Sequence, residues 1–269
     1  MDPAEQIHYD VDGQVALVTI DRPDSLNALD DAAYTRLWEV LRTFASDPSL
    51  RVAIVTGTGG RAFSVGSDMR QSFWHPEEGD ALTVTEAAEP PAIGKPLIAA
   101  IDGVCVGGGL EWALRCDIRI ATPRSSFGLP EPRSGTLAGF GLHMLSRLIP
   151  AGEALYMQLT GARIDAARAY HCCLVQELVS PEDLLPRARE IADMVLACAP
   201  MAIDAITQTV HFGLRQGLED SYRFVAPLAS AVGASADARE GPRAFVEKRP
   251  PSWQGNVPLR EKGGETRDG

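Results

Sequence analysis

Residues 96–122 read "PLIAAIDGVCVGGGLEWALRCDIRIAT", and this stretch constrains the fold more than any other. Two short apolar runs, "PLIAAID" (96–102) and "DIRIAT" (117–122), flank three consecutive glycines and a helical pattern. The runs are too short for helices and are bounded by turn residues, so they read as strands. A helix between two strands implies a crossover connection and hence α/β architecture. The same grammar appears upstream. "QVALVTI" (14–20) is a strand closed by Asp21-Arg22-Pro23, and "VAIVTG" (52–57) is a strand buried on both faces. Between them Asp30 caps a helix in which Ala33, Leu37, Val40, Leu41 and Phe44 recur at helical spacing, until Asp47-Pro48 stops it. After Pro181 the pattern is helical, with breaks near Pro200 and Gly217, and the tail beyond Trp253 is polar. The expected organisation is an α/β core over 1–199, carrying the active site, and a helical C-terminal region over 200–269.

Charge and cysteine usage narrow the function. With a net charge of −11, the surface repels DNA, RNA and anionic membranes, although a few local arginines can still bind an anionic ligand. Cys105, Cys116, Cys172, Cys173 and Cys198 are odd in number and show no CxxC, which reads as reduced thiols in a cytoplasmic protein. "MDPAEQIHYD" has no signal-peptide core, and the most apolar region is interrupted by Asp102 and Glu111, so no membrane span is expected.

Several motifs fail on context. "VTGTGGR" (55–61) follows a strand but does not open a helix, so it reads as a glycine turn and not a dinucleotide loop. There is no GxxxxGK, HExxH or GxSxG, and His8, His75, His143, His171 and His211 are scattered. Two glutamates remain in unusual settings. Glu111 follows Gly107-Gly108-Gly109 and is flanked by Leu110, Trp112, Ala113 and Leu114, so its helix start is buried. A first-turn acid is favourable with the helix dipole, but a buried carboxylate is costly without a partner or a role. Glu131 lies between two prolines in "FGLPEPRSG" (127–135) and reads equally as a solvated loop acid. Together the two carboxylates suggest paired acid–base chemistry.

An ordered set of segments resembles the enoyl-CoA hydratase, or crotonase, family over most of the chain. These are "DRPDSLNAL" (21–29), "RAFSVGSDM" (61–69), "KPLIAAIDGVCVGGGLEWALRCD" (95–117), "FGLPEPRSGTLAGFG" (127–141) and "LTGARIDAARAYHCCLVQELV" (159–179). "EGPRAFVEKRPPSWQG" (240–255) resembles the C-terminal end of carnitinyl-CoA dehydratase-like members. The resemblance implies a spiral of ββα units whose C-terminal helices assemble a homotrimer or a dimer of trimers. It implies an acyl-CoA thioester as substrate, with coenzyme A part of the substrate, no further cofactor and no metal. It also implies a role in fatty acid metabolism. The backbone N–H groups of Ser67 and Gly108 match the family's oxyanion hole, and Glu111 and Glu131 match its two catalytic carboxylates. Ala28, Asp68, Met69 and Gly107 join Ser67 and Gly108 as expected substrate contacts. Arg22 and Arg70 are expected contacts to the coenzyme A phosphates, with Lys248 or Arg249 reaching in from a neighbouring subunit.

The sequence departs from the family in three places. Pro132 follows Glu131 and biases it towards extended backbone. Leu142-His143 follows Gly141, with His143 read as facing out of a helix. "SFWHPEEGD" (72–80) contributes Phe73 and Trp74 as pocket walls or as plain core residues. The reaction implied is hydration of a 2-enoyl-CoA to a 3-hydroxyacyl-CoA. A one-base enoyl-CoA isomerase and a non-catalytic acyl-CoA-binding or RNA-associated protein are the alternatives, and the acidic charge counts against RNA.

Overall fold

The alternation of strand and helix builds two sheets of unequal size. The structure, a computed structural model, describes residues 6–68 and 93–255. In chain order the strands are β1 (Ile7–Asp12), β2 (Val15–Ile20), β3 (Val52–Gly57), β4 (Ala62–Ser64), β5 (Leu97–Ile101), β6 (Val104–Val106), β7 (Ile118–Ala121), β8 (Ser126–Gly128), β9 (Ile164–Asp165) and β10 (Glu177–Leu178). The larger sheet runs β1-β2-β3-β5-β7-β10, and the smaller runs β4-β6-β8-β9. β1 and β2 form an antiparallel hairpin, while β2, β3, β5, β7 and β10 pair in parallel. In the smaller sheet β4, β6 and β8 are parallel and β9 closes it antiparallel.

The helices are α1 (Asp31–Ser46), α2 (Gly108–Arg115), α3 (Phe140–Leu148), α4 (Ala151–Thr160), α5 (Ala166–His171), α6 (Leu184–Leu196), α7 (Pro200–Gly213), α8 (Leu218–Ala234) and α9 (Asp237–Glu247). α1 forms for the reasons its sequence carries. The Asp30 carboxylate accepts the Ala33 N–H at 2.9 Å, and the buried stripe is Ala33, Leu37, Val40, Leu41 and Phe44. The breaks expected near Pro200 and Gly217 fall where α7 and α8 begin, with Pro200 in the first turn and Gly217 as the N-cap. The chain divides into two compact units, Met1–Met194 and Val195–Gly269. The border lies inside α6, ahead of the 199/200 boundary expected from the break at Pro200. Among the described residues no helix is long and apolar enough to cross a membrane.

β1 and the four strands of the smaller sheet carry no strand signal in the sequence. β1 is an edge strand whose polar residues face outward, so it lacks an apolar run; Ile7 alone in it is fully buried. The smaller sheet consists of strands of two or three residues, too short to carry a period.

That smaller sheet is locked to the preceding turn by a buried polar residue. Asn27 has left-handed backbone (φ 55) and is 0% exposed. Its amide donates to the carbonyls of Thr58 and Ala62, at 3.0 and 2.7 Å, and its Oδ1 accepts the Arg22 N–H at 2.8 Å. Ser64 adds a further tie by donating to the Asn27 carbonyl at 2.8 Å. Removing the Asn27 side chain leaves three backbone groups without this partner, at about 1–3 kcal/mol for each one left unsatisfied. Asn27→Ala is therefore expected to destabilise the protein by about 3 kcal/mol or more. Chemical denaturation followed by circular dichroism measures this, and a loss within 0.5 kcal/mol of zero, roughly the surface-mutation range, would contradict it.

Candidate active site

Three short parallel strands end at one place. β4 leads into Ser67, β6 into the glycine turn and Glu111, and β8 through Leu129-Pro130 into Glu131. Because β4, β6 and β8 are neighbours in the same direction, the segments leaving their C-terminal ends are neighbours too. Loops at the carboxyl ends of parallel strands are where α/β folds put their sites.

The glycine turn is a steric solution. Gly107 has φ 57 and ψ −135, a conformation open essentially to glycine. Its N–H donates to the Gly128 carbonyl at 3.0 Å, tying the turn to the end of β8. A Cβ on Gly109 would lie 2.1 Å from the Ser64 carbonyl oxygen, and one on Gly66 would lie 2.5 Å from the Gly108 nitrogen. The backbones of 64–67 and 107–109 therefore touch directly. α2 starts at Gly108, with Gly107 as its cap. The Gly108 N–H is thus a first-turn donor, which has no partner within its helix. Ser67 is exposed and is held by a parallel bridge to Leu29, in which Leu29 N–H donates to Gly66 O (2.7 Å) and Asp68 N–H to Leu29 O (2.8 Å). Among the described residues neither the Ser67 nor the Gly108 N–H finds an acceptor.

The carboxylates sit in different surroundings. Glu111 Oε1 accepts the Gly141 N–H at 2.6 Å, at the N-terminal end of α3. Burial raises its pKa; the donors at Gly141 and Gly139 and the nearby charge of Arg115 oppose that rise. Glu131 lies against the glycine turn, where a Cβ on Gly107 would come 3.4 Å from its Oε1. Its Oε2 is buried without a hydrogen-bond partner. Burial raises its pKa to about 7, with the negative charge of Glu111 adding to the rise. The expectation of extended backbone at Glu131 is not met: it opens a 3₁₀ turn, Glu131–Ser134. Pro132 is tolerated there because a first-turn residue needs no N–H, and the Glu131 carbonyl is held by the Thr136 N–H at 3.1 Å.

Other expected site residues divide clearly. Ala28 is buried, with its carbonyl accepting Arg22 Nη1 at 2.5 Å. Arg22 does not present its charge to solvent: Nη2 pairs with Asp30 at 2.8 Å and lies 3.9 Å from the buried Asp68. Arg22, expected as a phosphate contact, is engaged by these internal carboxylates and holds the 22–30 turn. Arg249 is likewise bridged to Glu240 at 2.5 and 3.0 Å, whereas Lys248 is exposed. His143 is exposed on α3. Met69, Arg70, Phe73 and Trp74 lie outside the described residues. Among the described residues no group of His, Cys, Asp or Glu could hold a metal ion, and no disulfide links the cysteines.

Sequence reasoning missed Tyr34. It lies on α1 beside the core stripe, with its hydroxyl 3.2 Å from Ser67 Oγ and its ring centroid 6.4 Å from that of Trp112. Trp38, one turn on, lies 4.5 Å from Trp112, and the Arg115 guanidinium stacks over Trp38, Trp112 and Phe140. The available signal was an aromatic pair at i and i+4 just off the apolar stripe.

Known proteins share this architecture. Crystal structures of an enoyl-CoA hydratase from Bacillus anthracis (TM-score 0.86, 31% identity) and an enoyl-CoA hydratase/isomerase from Mycobacterium paratuberculosis (TM-score 0.84, 37% identity) each match 93% of this chain and 99% and 98% of their own. The fold is the crotonase fold. The sequence model of the enoyl-CoA hydratase/isomerase family matches residues 10–256, and the chain belongs to that family. Its relatives include an (E)-benzylidenesuccinyl-CoA hydratase from Thauera aromatica, 38% identical over 93% of this chain and 99% of the relative. A carnitinyl-CoA dehydratase from Citrobacter koseri is 35% identical over 94% and 99%.

Two outcomes follow from the geometry. Gly109→Ala forces a Cβ into backbone, and is expected to destabilise by about 3 kcal/mol in thermal or chemical melts; a wild-type melting curve would contradict this. For Glu131, a folded pKa raised to about 7 means the native state holds its proton more tightly than the unfolded chain. Its contribution is favourable at low pH and is lost as pH rises from the unfolded value through about 7. Glu131→Gln lacks this slope, so its Tm relative to wild type should climb across that window. A difference that stays flat with pH would remove the assignment.

Proposed function

We propose that this protein adds water reversibly to a 2-enoyl-CoA thioester, giving a 3-hydroxyacyl-CoA. The observation that carries the reading is the inequality of the two carboxylates at the ends of β6 and β8. Burial raises the pKa of both, but at Glu111 the N–H groups of a helix N-terminus and the charge of Arg115 oppose the rise, whereas Glu131 is pushed up to about 7 and has a buried oxygen with no partner. A base and an acid are what hydration needs.

In the hydration direction Glu111 takes a proton from water as the water oxygen bonds to the β-carbon. The double-bond electron pair moves towards the thioester, building negative charge on its oxygen. The N–H groups of Ser67 and Gly108 receive that charge, an effect worth about 2.7–4 kcal/mol per donor in comparable sites. Glu131 then delivers its proton to the α-carbon, and the enolate returns to a thioester. Glu111 ends protonated and Glu131 ionised, and exchange with solvent resets both. Dehydration runs the same steps backwards. The relatives named as a hydratase and a dehydratase agree with this chemistry.

We propose a cytoplasmic protein, active in acyl-CoA metabolism as a homotrimer or dimer of trimers. Exposed Ile206, Val210, Leu218, Tyr222, Phe245 and Val246 in the second unit support assembly; a monomer in sedimentation would count against it.

The decisive experiment offers the enzyme crotonyl-CoA and longer, branched and aromatic enoyl-CoA thioesters. Loss of the conjugated-thioester absorbance, with label from labelled water appearing in the 3-hydroxyacyl product, is expected. Glu111→Gln and Glu131→Gln should each lower kcat by about 10²- to 10⁴-fold. Full activity in either variant would remove the two-carboxylate mechanism, and isomerisation without water incorporation would replace it with a one-base isomerase. The hydration kcat/KM should fall as pH rises through about 7, because Glu131 must carry its proton to act as the acid. A rate that rises across that range would contradict the role.

A further inference from the structure

We propose that Tyr34 is a positioning residue for the oxyanion site, its hydroxyl fixing the two backbone segments that carry the Ser67 and Gly108 donors. This deepens the hydratase reading and rests on it. The hydroxyl is 3.2 Å from Ser67 Oγ, and a Cβ on Gly108 would lie 2.5 Å from the same hydroxyl. One phenol oxygen therefore touches both walls of the site. Glycine at 108 leaves room for it as well as for a ligand.

The surroundings make Tyr34 a rigid strut. Its helix is anchored by the Asp30 cap and by the buried neighbours Ala33 and Leu37. Its ring packs against Trp112, the residue after Glu111, and Trp112 is pinned by Trp38. The Ser67 segment is held from behind by the bridge to Leu29, by the Val65 N–H donating to the Leu26 carbonyl and by the Gly66 N–H donating to the Ser64 hydroxyl, whereas Ser67 itself is exposed and its side chain bonds to the Tyr34 hydroxyl. Without the phenol, Ser67 loses its side-chain tie at the front of the site, and the aim of its N–H relative to Gly108 rests on the backbone bonds behind it alone. Burial, with Glu111 and Glu131 nearby, raises the Tyr34 pKa against the opposing effects of Ser67 and Arg115. The hydroxyl thus keeps its proton across the neutral range and remains a neutral dipole, adding no charge beside the two acids.

The test uses Tyr34→Phe, which keeps the ring and removes the oxygen, and Ser67→Ala, which keeps the N–H and removes the same hydrogen bond from its exposed end. Two readouts are followed: steady-state kinetics, and the absorbance of a bound, slowly reacting aryl-enoyl-CoA whose band moves to the red as donors polarise its carbonyl. Tyr34→Phe is expected to lower kcat by about 10- to 100-fold with KM within about threefold, and to lose most of the red shift. Ser67→Ala should do the same, and the double variant should be no worse than either single, because all three break one link. If Tyr34→Phe melts more than a few degrees low, Ser67→Ala and the band shift carry the test. Full kcat and an unchanged red shift in both variants would overturn the proposal, as would losses that multiply in the double variant. Absence of a red shift in the wild-type protein would instead sink the oxyanion reading on which the proposal rests.

Discussion

The direct contact of two backbones, 64–67 against 107–109, is the constraint on which the site depends. Gly109 lies so close to the Ser64 carbonyl that any side chain would collide with it, and Gly66 bears in the same way on the Gly108 nitrogen. That contact brings the ends of β4 and β6 together and leaves two N–H groups without acceptors among the described residues. Backbone donors that find no acceptor in the protein are open to an incoming ligand, and the exposed Ser67 and half-buried Gly108 are placed to meet one. The ring of bonds around Asn27, Ser64 and Leu29 holds this contact in place from behind.

The second determinant is electrostatic. Two carboxylates near one turn repel, so their protonation separates. A helix N-terminus steadies the charge on Glu111, while Glu131 has a buried oxygen with nothing to bond. The asymmetry comes from topology. β6 runs into a helix directly, and α3 then returns its N-terminus to Glu111, whereas β8 runs into a short 3₁₀ turn. Arg22 illustrates the opposite outcome. Its charge is matched internally by Asp30 and Asp68, so it organises the neighbouring turn.

How much of this was legible follows the physics of each segment. The cap and stripe of α1, the strands at 52–57, 97–101 and 118–121, and the starts of α7 and α8 carry local signals strong enough to read directly. β1 and the strands of the smaller sheet do not, because edge position and two- or three-residue length leave no periodic pattern. The proline after Glu131 was misleading, since the preference for extended backbone before proline is small beside the bonds that fold Glu131–Ser134 into a turn. Tyr34 carries only the weak signal of an aromatic pair with Trp38, because nothing in a helical stripe tells which loop it will face.

The sequence by itself determined the α/β class, the glycine turn and the two acids, because glycine runs, caps and apolar periods act through neighbours along the chain. It also carried the family, through motifs kept in order over most of the length. Only the tertiary structure decided that three parallel strands end side by side, that Arg22 turns inward, that Gly141 holds Glu111 and that Tyr34 meets Ser67. Those pairings join residues far apart in the chain. They are settled by steric fit and by the cost of burying unmatched charge, neither of which is defined until the elements have packed.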